Sequence, residues 1–399
     1  MKKFKIIVKT FQGLEKILAK EIEDLGAENV EMQKRAVSCE GDNRVMYKIN
    51  FFTRTALRVL KPIHVFHAKN DVELYDGIFH FDWTSIIDPK DTLAIDTVVL
   101  SSYFKHSKYV AYKVKDAIVD QLRKQTGKRP SVLLSSPTYR INVHISNDLC
   151  TISLDSSGES LHRRGYRIDG GQAPLNEVLA AGLIMLTGWR GDSNFIDPMT
   201  GSGTLPIEAA LYAHKIPPGL FRKEFGFEKW SDFNEDLFDE IVNEDYEESE
   251  FNHKIIGSDI SSEAIKLALE NIKNASLTKK VELKILPFQK LDPPEDGGLV
   301  IMNPPYGQRI KQNNMSSFYK AIGDHLKKNF VGYDVWIISP KEELTNNIGL
   351  HPKNKISLLN GSIECKYQKY SIYQGSIKKS KQNFGNFNSE KKYTSKKGV

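Results

Sequence analysis

The chain has 399 residues, 40% hydrophobic and 27% charged, with a formal net charge of +6. Such a length suits two or three globular domains, and no stretch nears the roughly 18 unbroken apolar residues of a membrane span. Cys39, Cys150 and Cys365 lie far apart with no CxxC and no zinc-type spacing, so no metal site is expected and a reducing cytoplasm fits.

The charge is uneven. Residues 1–165 hold 26 Lys and Arg against 20 acidic residues, residues 166–375 are net −6, and residues 376–399 hold seven Lys against one Glu. A basic front and tail around an acidic middle suit an enzyme carried to nucleic acid by appended parts. The charged start has an apolar core of only Ile6–Val8, shorter than the roughly 7–15 residues of a secretion signal.

In chain order, residues 4–9 read as a strand and Gly13–Leu25 as an amphipathic helix closed by Gly26. A strand (Val30–Cys39), a helix (Arg44–Thr53) and a strand (Ala56–Phe66) follow. This β-α-β-α-β order predicts a small α+β module over residues 1–66, ferredoxin-like by pattern.

Residues 67–160 form a second unit. Val72–His80 is expected to be helical, Thr92–Leu100 a strand and Lys108–Thr126 a long helix. Arg140–Ser146 and Cys150–Leu154 are expected to pair across Asn147-Asp148. Lys105, Lys108, Lys113, Arg123, Lys128 and Arg129 are interleaved here with Tyr103, Phe104, Tyr109 and Tyr139. That composition suits phosphate contact and base stacking, with a solvated helix face as the alternative. In position and arrangement the unit resembles the THUMP domain of RNA-modifying enzymes.

Residues 161–375 carry the sharper motifs. LHRRGYR contains Arg163 and Arg164, which either meet phosphate or anchor the linker, and APLNEVLAAGL is expected to start a helix at Pro174. Asn194–Asp197 is a short strand leading into DPMTGSGTLPIEAA. Gly201 and Gly203 allow close backbone approach to a ligand, and the following helix N-terminus suits a carboxylate. Residues 231–251 hold ten acidic residues and no Lys or Arg, read as a solvated helix and loop kept off nucleic acid. That segment explains why Asp259, at the end of the next strand (Lys254–Gly257), lies farther than the roughly 20 residues usual for an acidic ribose ligand. Ser261–Ala275 is a helix with Ser261 or Asp259 as cap, and Val281–Leu286 is a third strand.

Leu299–Arg309 reads LVIMNPPYGQR. Val and Ile in a short apolar run predict a buried strand, and Pro304 and Pro305 stop it in a stiff loop. The Asn303 side-chain oxygen and the Pro304 carbonyl can accept both N–H bonds of a planar amine, while Tyr306 can stack on its ring. A Pro-rich turn after a core strand is the alternative. A helix (Met315–Asn329), a strand (Asp334–Ile338) and a hairpin (Lys355–Leu359, Ile363–Ile372) turning at Asn360-Gly361 complete the pattern, before a tail at 376–399 expected to be disordered.

The loop resembles the (Asn/Asp)-Pro-Pro-Tyr motif of S-adenosylmethionine (SAM)-dependent methyltransferases acting on amino groups. LHRRGYR…APLNEVLAAGLI and DPMTGSGTLPIEAA resemble the entry to the catalytic domain of the 23S rRNA guanine-N2 methyltransferase family. The resemblance implies an α/β chain: a ferredoxin-like module (1–66), a THUMP domain (67–160), a Rossmann-like class I methyltransferase domain (161–375) and a basic tail (376–399). It implies SAM as cofactor, held by Asp197 at the ammonium, by Thr200, Gly201, Gly203 and Thr204 at the turn, and by Asp259 at the ribose. The family often has Cys where Thr200 stands, and commonly an Asp where this chain has Pro287-Phe288-Gln289, so Phe288 and Gln289 are the candidates beside the adenine. Asn303, Pro304 and Tyr306 are the expected catalytic residues. Arg163, Arg164, Lys113, Arg123, Arg129 and Arg309 are the expected substrate contacts. The expected partner is large-subunit rRNA and the expected compartment the cytoplasm. Guanine N2 in tRNA, adenine N6 in nucleic acid and a catalytically silent assembly factor are the rival readings.

Overall fold

The computed structural model describes residues 2–168, 174–244, 248–305, 315–340, 342–361 and 363–372. The Tyr306 and Arg309 assignments and the tail lie outside these. The chain divides into two compact units: Met1–Arg167 with Asn176–Leu186 and His214–Ser249, and Ile168–Leu175 with Thr187–Ala213 and Glu250–Val399.

The first unit opens with β1 (Phe4–Lys9), α1 (Glu15–Asp24), β2 (Glu28–Gln33), β3 (Ala36–Gly41), α2 (Asn43–Phe52) and β4 (Arg58–His67). This β-α-β-β-α-β order is the ferredoxin-like arrangement. The single strand expected at Val30–Cys39 is two strands, because Arg35 takes φ 59° in the turn and its amide donates to Glu15 at 3.0 Å. Gly26, with φ 91°, closes α1 as expected.

Next come α3 (Asp71–Phe79), β5 (Thr92–Leu100), α4 (Ser107–Thr126), β6 (Ser131–Val132), β7 (Tyr139–Ser146) and β8 (Leu149–Asp155). All eight strands form one sheet, ordered β2-β3-β1-β4-β8-β7-β5-β6. The register of β4 against β8 shifts between Pro62 and His64, where proline cannot donate to the ladder.

Two later segments also belong to this unit. α5 (Glu177–Leu186) starts at Asn176, whose Oδ1 accepts from the amides of Val178 and Leu179, and not at Pro174. Its Gly182 lies so close to Leu14 that a Cβ would stand 2.4 Å from a leucine methyl. α7 (Glu235–Glu244) overturns the reading of 231–251 as merely solvated. Leu237 and Ile241 are buried, and Phe238 packs against the rings of Tyr47, Phe51 and Phe227. The acidic residues leave an apolar stripe at helical spacing, which the unit buries.

The second unit is a seven-stranded sheet of β9 (Asn194–Asp197), β10 (Ile255–Asp259), β11 (Glu282–Ile285), β12 (Gly298–Met302), β13 (Tyr333–Ser339), β14 (Asn354–Asn360) and β15 (Ile363–Ser371). The order is β11-β10-β9-β12-β13-β15-β14, parallel from β11 to β13, with β15 antiparallel to both neighbours. α6 (Thr204–Ala213), α8 (Ser262–Asn274), α9 (Met315–Asn329) and α10 (Glu342–Asn346) complete it. Asn360 pairs with Ile363, so the hairpin turns one residue later than expected. The strand order reverses between β9 and β12, the switch point where open parallel sheets bind ligands at their carboxyl ends.

Candidate active site

The turn after β9 is held in large part from β10 and α8. The Thr200 amide donates to the Ser258 carbonyl at 2.9 Å and the Gly201 amide to Asp259 Oδ2 at 2.9 Å. The Gly203 amide closes the turn on the Thr200 carbonyl at 2.9 Å, and Thr204, buried, begins α6. Asp259 Oδ1 accepts from the Ser261 amide, and Ser261 Oγ caps α8 by accepting from Ala264. One carboxylate thus fixes both the Gly-rich turn and the start of a helix.

The two glycines do different work. Gly201 has φ 53°, and beyond its own chain neighbours no atom of the described residues lies within 4 Å of where its Cβ would stand. Gly203 has φ 82°, and its Cβ would stand 3.0 Å from the Cβ of Ala268 on α8. At Gly203 the close neighbour on the Cβ side is this helix. Asp197 is 1% exposed, and its Oδ1 accepts from the Met199 amide at 3.2 Å. Burial, with repulsion from Asp259 adding to it, pushes this carboxyl up to about 7.

By register Val300 of β12 faces Ile196, so Asn303 stands two residues beyond the level of Asp197 on the neighbouring strand. Pro304 is buried. Asn303 Oδ1 is buried and has no hydrogen-bond partner among the described residues. Such an acceptor costs about 1–3 kcal/mol when left unmade, so it is either strain or a socket for a donor.

Other expected site residues fare differently. Phe288 is a core side chain, set edge-on to His325 and tilted against Phe330, so it has no free face for adenine. Gln289 follows it in a 3-10 turn with an exposed side chain. An exposed apolar side chain that the sequence reading did not single out is Ile260, 74% exposed immediately after Asp259. The pairing of an acidic residue and a bulky aliphatic one at the strand end was its signal.

Arg163, Arg164, Lys113, Arg123 and Arg129 belong to the first unit. Arg164 is corrected from a substrate contact to an anchor: it is 2% exposed and donates to the carbonyls of Leu161 (2.8 Å) and Arg54 (2.6 Å). Arg163 is exposed, 3.5 Å from Glu159. Lys113 sits 5.1 Å from the Tyr75 ring centre, while Arg123 and Arg129 are exposed. Among the described residues no group of three or more His, Cys, Asp and Glu could hold a metal, and no helix is long and apolar enough to cross a membrane.

Comparison with known proteins gives three family matches. Residues 164–369 match the RMKL-like methyltransferase domain, residues 68–155 the THUMP domain and residues 5–60 the RlmL ferredoxin-like domain. A Synechocystis sp. protein provisionally named an RNA methyltransferase is 39% identical over 365 residues, covering 91% of this chain and 95% of that protein. The ribosomal RNA large subunit methyltransferase K/L of Methylococcus capsulatus is 38% identical over 371 residues, covering 90% of this chain. The chain spans 50% of that enzyme's length. The crystal structure of SMU.472 with S-adenosylhomocysteine, provisionally identified as a methyltransferase, is 26% identical with a TM-score of 0.84, covering 94% of this chain and 100% of that one.

Proposed function

The chain belongs to the RMKL-like methyltransferase family, and from that footing we propose that it methylates the exocyclic N2 of a guanine in large-subunit rRNA, using SAM. The THUMP match and the K/L relative support RNA as substrate, and such a substrate implies action in the cytoplasm. The observation that carries the chemistry is the buried Oδ1 of Asn303 at the switch point, beside the turn after Asp197 and without a hydrogen-bond partner among the described residues.

The residues present fit the cofactor. The open space at Gly201 leaves bare backbone where an amino-acid moiety can approach, and the buried Asp197 is an acceptor for an ammonium. Asp259 keeps lone pairs for ribose hydroxyls beyond those given to Gly201 and Ser261, and Ile260 offers an apolar surface to a flat ring. SAM, when bound, supplies an electrophilic methyl group. The chain itself orients the acceptor. Asn303 Oδ1 and the Pro304 carbonyl receive the two N–H bonds of the target amine and turn its lone pair out of conjugation. A target base must first leave its stack, which costs least in irregular RNA.

Adenine N6 presents the same two donors, so the loop suits both bases, and the RNA-type front favours the guanine reading. The test is Asn303→Ala under single turnover. SAM and RNA binding persist while methyl transfer falls on the order of 10²–10³. A fall below tenfold removes Asn303 from the alignment of the amine.

A further inference from the structure

Behind the Gly-rich turn, α8 touches it at two residues three positions apart, hence on one face of the helix. Ala268 lies under Gly203, and Asn271 lies under Ser202. Asn271 is 1% exposed, and both ends of its amide are committed to backbone. Nδ2 donates to the Ser202 carbonyl at 3.0 Å, and Oδ1 accepts from the Ile168 amide at 3.0 Å. An N–H only donates and a carbonyl only accepts, so these partners fix which way the amide points. Ile168 is the residue with which the chain enters the second unit.

The Ser202 carbonyl and the Gly203 N–H belong to one rigid peptide plane. Asn271 holds the plane by its oxygen, while the Thr200 carbonyl holds it by its N–H at 2.9 Å. Rotation of that plane would break both bonds and move Gly203 off its φ of 82°. The turn is therefore held in one shape before any ligand arrives, its first half by the Asp259 carboxylate and its second by the Asn271 amide.

We infer that Asn271 is a positioning residue for the cofactor, locking the Gly-rich turn to the chain segment at Ile168; this rests on the reading of that turn as the SAM site. It touches neither SAM nor the target base, and acts by sparing the ligand the cost of ordering the turn. Losing it weakens SAM binding more than it slows the chemical step.

The test uses the full chain with Asn271→Ala and Asn271→Asp. SAM affinity is measured by calorimetry, kcat and KM for SAM on rRNA, and melting without ligand. Asn271→Ala, folded, weakens SAM binding about tenfold, the size of one net hydrogen bond. KM for SAM rises in parallel and kcat at saturating SAM stays close to wild type. Asn271→Asp keeps the acceptor for Ile168 and loses the donor to Ser202. Protonation of that carboxyl restores a donor, so the ratio of its Kd to the wild-type Kd narrows as pH falls, a recovery that loss of packing alone would not produce. Unchanged SAM affinity in the folded variants, or a fall in kcat with affinity intact, overturns the inference. Wild-type protein that does not bind SAM overturns the cofactor reading instead. Should the alanine variant not fold, the near-isosteric aspartate variant decides.

Discussion

A Cβ on Gly203 would stand 3.0 Å from the Cβ of Ala268, so the helix behind the turn already demands a glycine at its second position. Gly203→Ala should therefore cost fold stability, on the order of 1–3 kcal/mol from overpacking and a left-handed backbone. Adding Ala268→Gly should return the packing share and leave the backbone share. Urea denaturation measures both, and a single variant as stable as wild type refutes the contact.

Gly201 makes the opposite prediction. Its Cβ position is open and its φ of 53° lies where other residues also sit at modest cost. Gly201→Ala should lose roughly 1 kcal/mol of stability and most of its SAM affinity. A folded variant that binds SAM as tightly as wild type would move the ligand away from this turn.

Asp197, as the proposed acceptor for the SAM ammonium, should make SAM binding pH-dependent. Its carboxyl is pushed up to about 7 by burial, above the unfolded value. The ligand-free fold is therefore most favoured with the group protonated, and loses that advantage as pH rises from the ordinary carboxylate range through 7. An ammonium ligand favours the carboxylate, so SAM affinity should climb several-fold between pH 6 and pH 7.5. Asp197→Asn should flatten the profile at weak affinity. A profile equally steep in the variant would assign the titration to another group.

The first unit makes a prediction about truncation. α5 and α7 pack with residues before 160, and Arg222 donates to the carbonyls of Ser157, Glu159, Ser160 and Arg163 at 2.8–3.2 Å. A chain cut at residue 160 strips partners from Leu237, Ile241, Phe227 and Gly182. It should aggregate or fail to fold, whatever its SAM site. A monomeric, cooperatively melting fragment 161–399 would show those contacts to be dispensable.

Much of this was legible in the sequence. Short apolar runs ended by Asp197, Asp259 and Asn303 identify β9, β10 and β12, because a buried parallel strand has few other compositions. What escaped depends on contacts distant in sequence. Arg35 carries no turn signature, since Glu15 holds its amide. The charge of residues 231–251 hid Leu237, Phe238 and Ile241, which only a helical projection aligns. Arg164, Phe288 and Asn271 each look plausible at a surface or a ligand until the fold buries them.

The central claim, methyl transfer to guanine N2 by a loop that holds an amine, has one direct measurement. The enzyme is incubated with labelled SAM and unmodified large-subunit rRNA, and the RNA is digested to nucleosides and separated. The account predicts label in N2-methylguanosine with wild type and its near loss with Asn303→Ala. Label in N6-methyladenosine would contradict the base while sparing the amine chemistry; label surviving Asn303→Ala undiminished would contradict the loop itself.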